Sequence, residues 1–278
     1  MVKISAFADE AATDFKEQLE FLQSSNIGWI EIRFVDGENI VDLSDEKLVE
    51  VKFLLKKQGI NVSAIASPIG KYTLDADFEP HLAKFRRTVE IAKYLDTKLI
   101  RIFSFYAPEG DSIDDYKDQV VDRLKQMAVI AEKEGIIMTQ ENETLTYGHS
   151  AANCVELIQE VNSPSMALAY DPANFVFGEK IFNNVDVCWS VMKPYVNHIH
   201  IKDWRLGSLD VGSLPGNGDA QIEPLIKGLS KEHYEGFMTM EPHMSSGGNF
   251  GGTTSIEQFD AALAQVRGFC RKYGLKYE

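Results

Sequence analysis

The sequence predicts an α/β fold, a single (β/α)8 TIM barrel spanning residues 1–278 as one domain. Three observations carry this. Eight short β-branched or aromatic runs alternate with longer segments of helical period. They recur roughly every 33 residues, close to the ~30 of one βα unit. No Pro- or Ser-rich linker divides the chain, and the first run leads into FADEAATDF. A doubly wound dinucleotide-binding sheet wants a glycine-rich turn there instead.

The runs, in order, are KISAFAD, WIEIRF, INVSAIAS, KLIRIFSF, IIMTQENE, MALAYDPAN, VNHIHIKD and FMTMEPH, starting near residues 3, 29, 60, 98, 136, 166, 196 and 237. Each is a short β-rich stretch bounded by polar or turn residues. The intervening helices have readable ends. Ser44, followed by Asp45 and Glu46, is an N-cap with acidic residues in the first turn, and that helix stops at Gly59. DYKDQVVDRLKQMAVIAEKEG follows the same logic and ends at Gly135, and IEQFDAALAQVRGFCRKYG closes the chain.

Composition narrows the function. The 278 residues carry 28 Lys plus Arg against 42 Asp plus Glu, a formal net charge of −14. Such a chain repels nucleic acid and anionic membranes. It has no charge-free apolar run near the ~18 residues of a spanning helix. MVKISAFADE meets acidic residues too early for a signal peptide. Cys154, Cys188 and Cys270 are widely spaced and fit free thiols in a reducing compartment. The expectation is a soluble, cytoplasmic protein with a small-molecule partner. A homo-oligomer is a default for such proteins, though no sequence stripe marks an interface.

In a barrel, active-site residues stand at the C-terminal strand ends. Four consecutive runs end in carboxylates or imidazoles. Strand alternation puts His198, His200 and Lys202 on one face of strand seven, with Ile199 and Ile201 on the other. On strand eight, Thr239, Glu241 and His243 share a face. Asp171 is in phase on strand six and Glu141 on strand five. Glu141, Asp171, His200 and Glu241 therefore converge at the top of the barrel. Unpaired, three carboxylates would raise one another's pKa. One divalent metal ion (Mn²⁺, Zn²⁺, Co²⁺ or Mg²⁺) resolves the repulsion. Taken singly, a strand-end carboxylate is also a helix cap or an ion-pair partner, and a lone histidine a satisfied core residue.

With QENE on strand five, AYDPANF on six, HIHIKD on seven, MEPH on eight and PGNGDAQIEPLIKGL between the last two, the chain resembles the xylose isomerase-like barrels. That family holds sugar and sugar-phosphate isomerases and epimerases, inosose dehydratases and endonuclease IV. Carried over residue by residue, its metal ligands fall on Glu141, Asp171, His200 and Glu241. In the ketose 3-epimerase branch two metal-bound glutamates also move protons on opposite faces of the sugar. The resemblance implies those acid/base roles for Glu141 and Glu241. The endonuclease branch wants further histidines at the ends of strands two to four and three residues after the strand-six aspartate. Here the latter position is Asn174, where ketose 3-epimerases also tend to have histidine. HIHIKD looks more like the sugar-phosphate and inosose branches.

The expected activity is thus isomerisation or epimerisation of a sugar, sugar phosphate or related polyol. The alternatives are an inosose-type dehydratase on the same site and a non-catalytic carbohydrate-binding barrel. Lys202, His243, Arg33, Arg205 and Asn174 are assigned to substrate binding. Arg33 alternatively forms an internal pair with Glu31, Lys202 a salt bridge to a barrel carboxylate, and His243 a support for Glu241. Glu143 replaces or supports Glu141, and His149 is a cap neighbour. Phe103, Phe105 and Tyr106 end strand four as sugar-stacking rings or as core. Trp204 and Arg205 open the loop after strand seven. MSSGGNFGGTT, after strand eight, is a phosphate-binding loop or a lid. No Walker loop and no GxSxG motif is present.

Overall fold

The computed structural model describes residues 1–278 apart from 209–210 and 247–250. Its strands are β1 (Lys3–Ala6), β2 (Trp29–Ile32), β3 (Asn61–Ala66), β4 (Leu99–Ile102), β5 (Ile137–Glu141), β6 (Met166–Tyr170), β7 (Val196–Ile201) and β8 (Phe237–Met240). Each begins within one residue of its expected position. All neighbouring pairs are parallel, and β1 pairs with β8 to close the barrel.

The outer helices are α1 (Phe15–Ser24), α2 (Asp45–Gln58), α3 (Phe78–Tyr94), α4 (Lys117–Glu134), α5 (Ala151–Val161), α6 (Pro172–Phe177), α7 (Ile222–Lys231) and α8 (Ile256–Tyr273). The anticipated caps are present. Ser44 accepts from the Lys47 amide, and Gly59 ends α2 at φ 67°. Gly135 ends α4 at φ 68°, and Ser255 with Gln258 makes a capping box on α8. The sixth connection departs from the pattern. It is the single-turn α6 followed by short helical turns at Val185–Trp189 and Ser190–Met192.

The outward strand faces are apolar and closed. Ile4, Ile30, Leu168, Ile199, Ile201, Met238 and Met240 are all buried under the helices. The interior is polar. Ser5 and Ser63 hydroxyls meet at 2.7 Å, Thr139 lies 3.2 Å from Asn197 Oδ1, and His198 Nε2 lies 2.8 Å from Thr239 Oγ1. Two register shifts help to fill it. The β2–β3 ladder skips Ser63 and the β6–β7 ladder skips Asn197. Both are bulge residues whose side chains take up interior hydrogen bonds.

One element was not anticipated. Phe34–Val35 and Glu38–Asn39 form a two-stranded hairpin after β2. Its turn, Asp36-Gly37, has φ of 53° and 82°, the left-handed pair that Asp-Gly favours in tight hairpins. The hairpin lifts Phe34 and Asn39 to the barrel mouth, where both line the central cavity. Among the described residues, no helix is long and apolar enough to cross a membrane.

Candidate active site

A cavity of about 240 Å³ opens at the C-terminal end of the barrel. Strand phase brings Glu141, Asp171, His200 and Glu241 together there. One ligand atom from each lies within 4.8 Å of all the others, and all four side chains are buried.

Each is aimed by its neighbours. Asp171 both caps a helix and faces the site: its Oδ1 accepts from the Ala173 and Asn174 amides (2.8 and 3.1 Å), while Oδ2 lies 2.6 Å from Lys202 Nζ. His200 Nδ1 faces Glu141 Oε1 at 3.2 Å and Glu241 Oε2 at 3.3 Å. Its Nε2 faces Glu31 Oε2 at 3.3 Å. Glu31 also takes His198 Nε2 at 2.5 Å. A carboxylate behind an imidazole fixes its tautomer and turns the other nitrogen toward a cation. Asn174 Nδ2 donates to Glu141 Oε1 (3.3 Å) and to the Asn142 carbonyl (2.9 Å). Arg33 Nη1 donates to Glu241 Oε1 at 3.1 Å, opposite His243 Nε2 at 3.2 Å.

The electrostatics follow from burial and pairing. Burial alone would raise the Glu141 carboxyl, but His200 and Arg101 outweigh it and hold it at about 2. Burial likewise opposes the charge on Glu241, yet Lys202 and His243 hold it well below the usual carboxylate range. Asp171 goes the other way: burial lifts it to about 6 against the pull of Lys202. His200 resists its burial because Glu141 and Glu31 flank it, so its pKa is well above that of a free histidine.

The cluster fits a divalent cation. Three carboxylates and an imidazole are hard-to-borderline donors. Asp171 Oδ2 and Glu241 Oε2, the carboxylate atoms that face the cluster, are buried without an aligned hydrogen bond. Buried polar atoms in that state are costly unless something else satisfies them.

The other expected residues divide. Lys202, His243, Arg33, Asn174, Glu143, Trp204 and Phe103 line the cavity. Arg205 is not among the lining residues: it is exposed, and its Nη2 donates to the Asn217 carbonyl at 2.6 Å. The Glu31–Arg33 pair does not form. The register shift beside Glu31 accompanies its turn toward His198, and Arg33 is taken by Asp9 (2.9 Å) and Glu241. Glu143 pairs with Lys71 at 3.0 Å, outside the quartet. His149 pairs with Glu179 and Asp114 beside α5, as a cap neighbour does. Strand four ends at Ile102. Beyond it Phe103 faces the cavity, whereas Phe105 is core, packed on His81 and Phe78. Of the glycine-rich run after β8, residues 247–250 lie outside the described residues, but Gly251 packs on Arg33 at a φ of 135° that residues with side chains rarely adopt, and a Cβ there would stand 2.8 Å from Arg33 Cζ.

Several contributors carried no readable signal. Arg101, Lys71, Ser67 and Phe34 come from the first half of the barrel. Asp9 and Glu10 reach the site from the loop after β1. Glu10 accepts from the His243 amide (2.9 Å) and the Thr254 hydroxyl (2.8 Å), and its Oε1 faces His243 Nε2 at 3.1 Å. The acidic FADE signature was the available hint.

His243 makes a testable prediction for the metal-free protein. Burial opposes its charge, but Glu10 and Glu241 raise its pKa from 6.5 to about 9. A raised folded pKa stabilises fully below about 6.5 and the gain is lost as pH rises through about 9. Chemical unfolding of wild type against His243→Gln should show a stability difference that shrinks across that window by up to about 3 kcal/mol. A pH-independent difference would refute the charged clamp.

A closed eight-stranded parallel barrel with a carboxylate–imidazole cluster at its C-terminal rim defines the class: a (β/α)8 barrel whose mouth carries residues that could hold a metal ion. More particularly, the chain belongs to the xylose isomerase-like TIM barrel family, which matches residues 19–273. It is 25% identical over 141 residues to an inosose dehydratase of Clostridium perfringens (strain 13), covering 42% of this chain and 46% of that protein. The match thus spans about half the relative's length. In structure it resembles a xylose isomerase-like TIM barrel protein from Mycobacterium smegmatis in complex with magnesium (TM-score 0.75, 16% identity, 98% of this chain and 97% of that one). It also resembles D-psicose 3-epimerase from Clostridium cellulolyticum H10 with D-tagatose (TM-score 0.73, 17% identity, 98% and 99%). At these identities the structural likeness speaks for the fold.

Proposed function

We propose that the chain, acting as one catalytic domain, is a divalent-metal-dependent isomerase or epimerase of a sugar, sugar phosphate or related polyol. The observation that carries this is the buried quartet Glu141, Asp171, His200 and Glu241, with ligand atoms within 4.8 Å. These four would hold the ion. When bound, it supplies Lewis-acid stabilisation of the charge that develops when a proton α to a carbonyl leaves.

The remaining work belongs to the chain. Glu141 and Glu241 are both ionised at neutral pH and can each accept a proton. A ligating His200 would be neutral, so it would give up its proton as the ion binds. Lys202, 2.6 Å from Asp171 and 3.6 Å from Glu241, can hold a substrate oxygen between the two carboxylates. Arg33 and His243 keep Glu241 in place. Removal by one glutamate and return by the other inverts a carbon. Return at the neighbouring carbon isomerises.

A second reading, loss of a β-hydroxyl from a keto-inositol, draws support from the similarity to an inosose dehydratase. The test is solvent exchange. Metal-reconstituted protein is incubated in D2O with ketoses, aldoses, their phosphates and a keto-inositol, and followed by NMR. Deuterium should enter at a carbon α to a carbonyl, with or without dehydration. No exchange across the panel would leave a carbohydrate-binding barrel as the better reading.

A further inference from the structure

Three of the four Lys and Arg side chains that line the cavity have a close carboxylate partner. Lys202 has Asp171 at 2.6 Å, Arg33 has Asp9 at 2.9 Å, and Lys71 has Glu143 at 3.0 Å. Arg101, just inside the end of β4, differs. It is 7% exposed and lines the cavity. Its nearest carboxylate oxygen, Glu141 Oε2, is 3.5 Å from Nε, and Nε has no aligned acceptor. Among the described residues its guanidinium donates no hydrogen bond. The group instead lies over Phe103, 4.4 Å from the ring centroid, with Phe7 at 5.9 Å.

A guanidinium carries five N–H donors in a rigid fork. Burying Nε without an aligned acceptor is costly, and stacking on an aromatic face holds the plane of the fork without satisfying a donor. Glu141 is a poor permanent partner, because it belongs to the quartet.

We infer that Arg101 docks an oxyanion of the substrate, a carboxylate or a phosphate, so that the site takes an acidic sugar derivative in preference to a neutral polyol. This deepens the proposed function by naming the substrate class, and it rests on that reading for the shared cavity and for the place of Glu141 in the quartet. The two oxygens of a carboxylate or phosphate match the fork, and the ring of Phe103 forms the wall beside it.

The test is calorimetric titration of the full chain, with and without added Mg²⁺, using gluconate, glucose 6-phosphate and glucose as probes. In at least one condition an acid should bind about tenfold or more tighter than glucose, the worth of a charge-assisted hydrogen bond. Arg101→Met should remove that advantage and leave glucose unchanged. Arg101→Lys, which keeps the charge and loses the fork, should fall between, and it serves if the Met variant fails to fold. The better acid tells carboxylate from phosphate. Glucose binding as tightly as both acids, no binding of either acid, or an unchanged advantage in Arg101→Met would each overturn the inference. If Mg²⁺ alters nothing while the Arg101-dependent preference persists, the metal reading fails and the docking role stands.

Discussion

Wild-type protein reconstituted with Mn²⁺ and desalted should carry about one ion per chain, and Asp171→Asn should carry almost none. The loss should exceed roughly 100-fold in affinity, the upper end of what even an outer-shell change costs. Asp171 is the sharpest probe because its two oxygens do different work. Oδ1 caps α6 and can be kept by the Asn oxygen, whereas Oδ2, 2.6 Å from Lys202, is the atom that faces the cluster. Helix and ligand are thereby separated by one atom. Glu141→Gln should also lose the ion, and both Glu141→Gln and Glu241→Gln should abolish turnover. Elemental analysis beside a solvent-exchange assay reads both. Wild type without metal after exposure to Mn²⁺, Co²⁺ and Zn²⁺ would remove the main support for the enzyme reading.

Asp203→Ala should destabilise the fold by roughly 3–5 kcal/mol, an effect on structure rather than on chemistry. The carboxylate follows β7 and is fully buried. It accepts four backbone amides: Trp204 and Ala220 on Oδ1 (2.9 and 3.0 Å), Gly216 and Gly218 on Oδ2 (2.7 and 2.9 Å). Burial outweighs those four donors and raises the carboxyl above its ordinary value, so the group is present at a cost. Alanine would leave four amides without their acceptor and untie the segment from 204 to 220. The glycines are part of the clasp: a Cβ on Gly218 would stand 2.2 Å from Asp203 Oδ1. Urea unfolding checks the magnitude. A loss below 1 kcal/mol would mean that the loop is held elsewhere.

The barrel was legible because its signal is repetitive. Eight runs at even spacing overdetermine the answer, and a slip in one does not change the count. The quartet was legible for a related reason: alternation along β7 and β8 says which side chains face inward, whatever lies opposite. What the sequence left unreadable needed contacts across the barrel. Glu31 and Arg33 sit two residues apart on one strand, so a local pair looked natural, yet His198 and Asp9 claimed them from far along the chain. Arg205 follows the catalytic-looking strand, but the turn at Asn217 captures it. Arg101 stands on a strand without any acidic or imidazole pattern and Lys71 in the loop after β3, so nothing nearby marked them. The hairpin after β2 was announced by Asp36-Gly37 and is too short to show alternation.

The buried charges also set terms for how such a protein changes over generations. Asp9, Arg33, Glu241, His200, Glu31 and His198 form one unbroken succession of contacts, none longer than 3.3 Å, running from the barrel mouth to its interior. Replacing any member strands the charge of the next, and the penalty for each change depends on the others. The succession therefore behaves as a single inherited character, kept or lost as a block. Diversification is left to the residues that ring it without belonging to it, Phe34, Phe103 and Phe177 among them. A new substrate would be reached at less cost by redrawing that rim than by altering the coupled charges inside it.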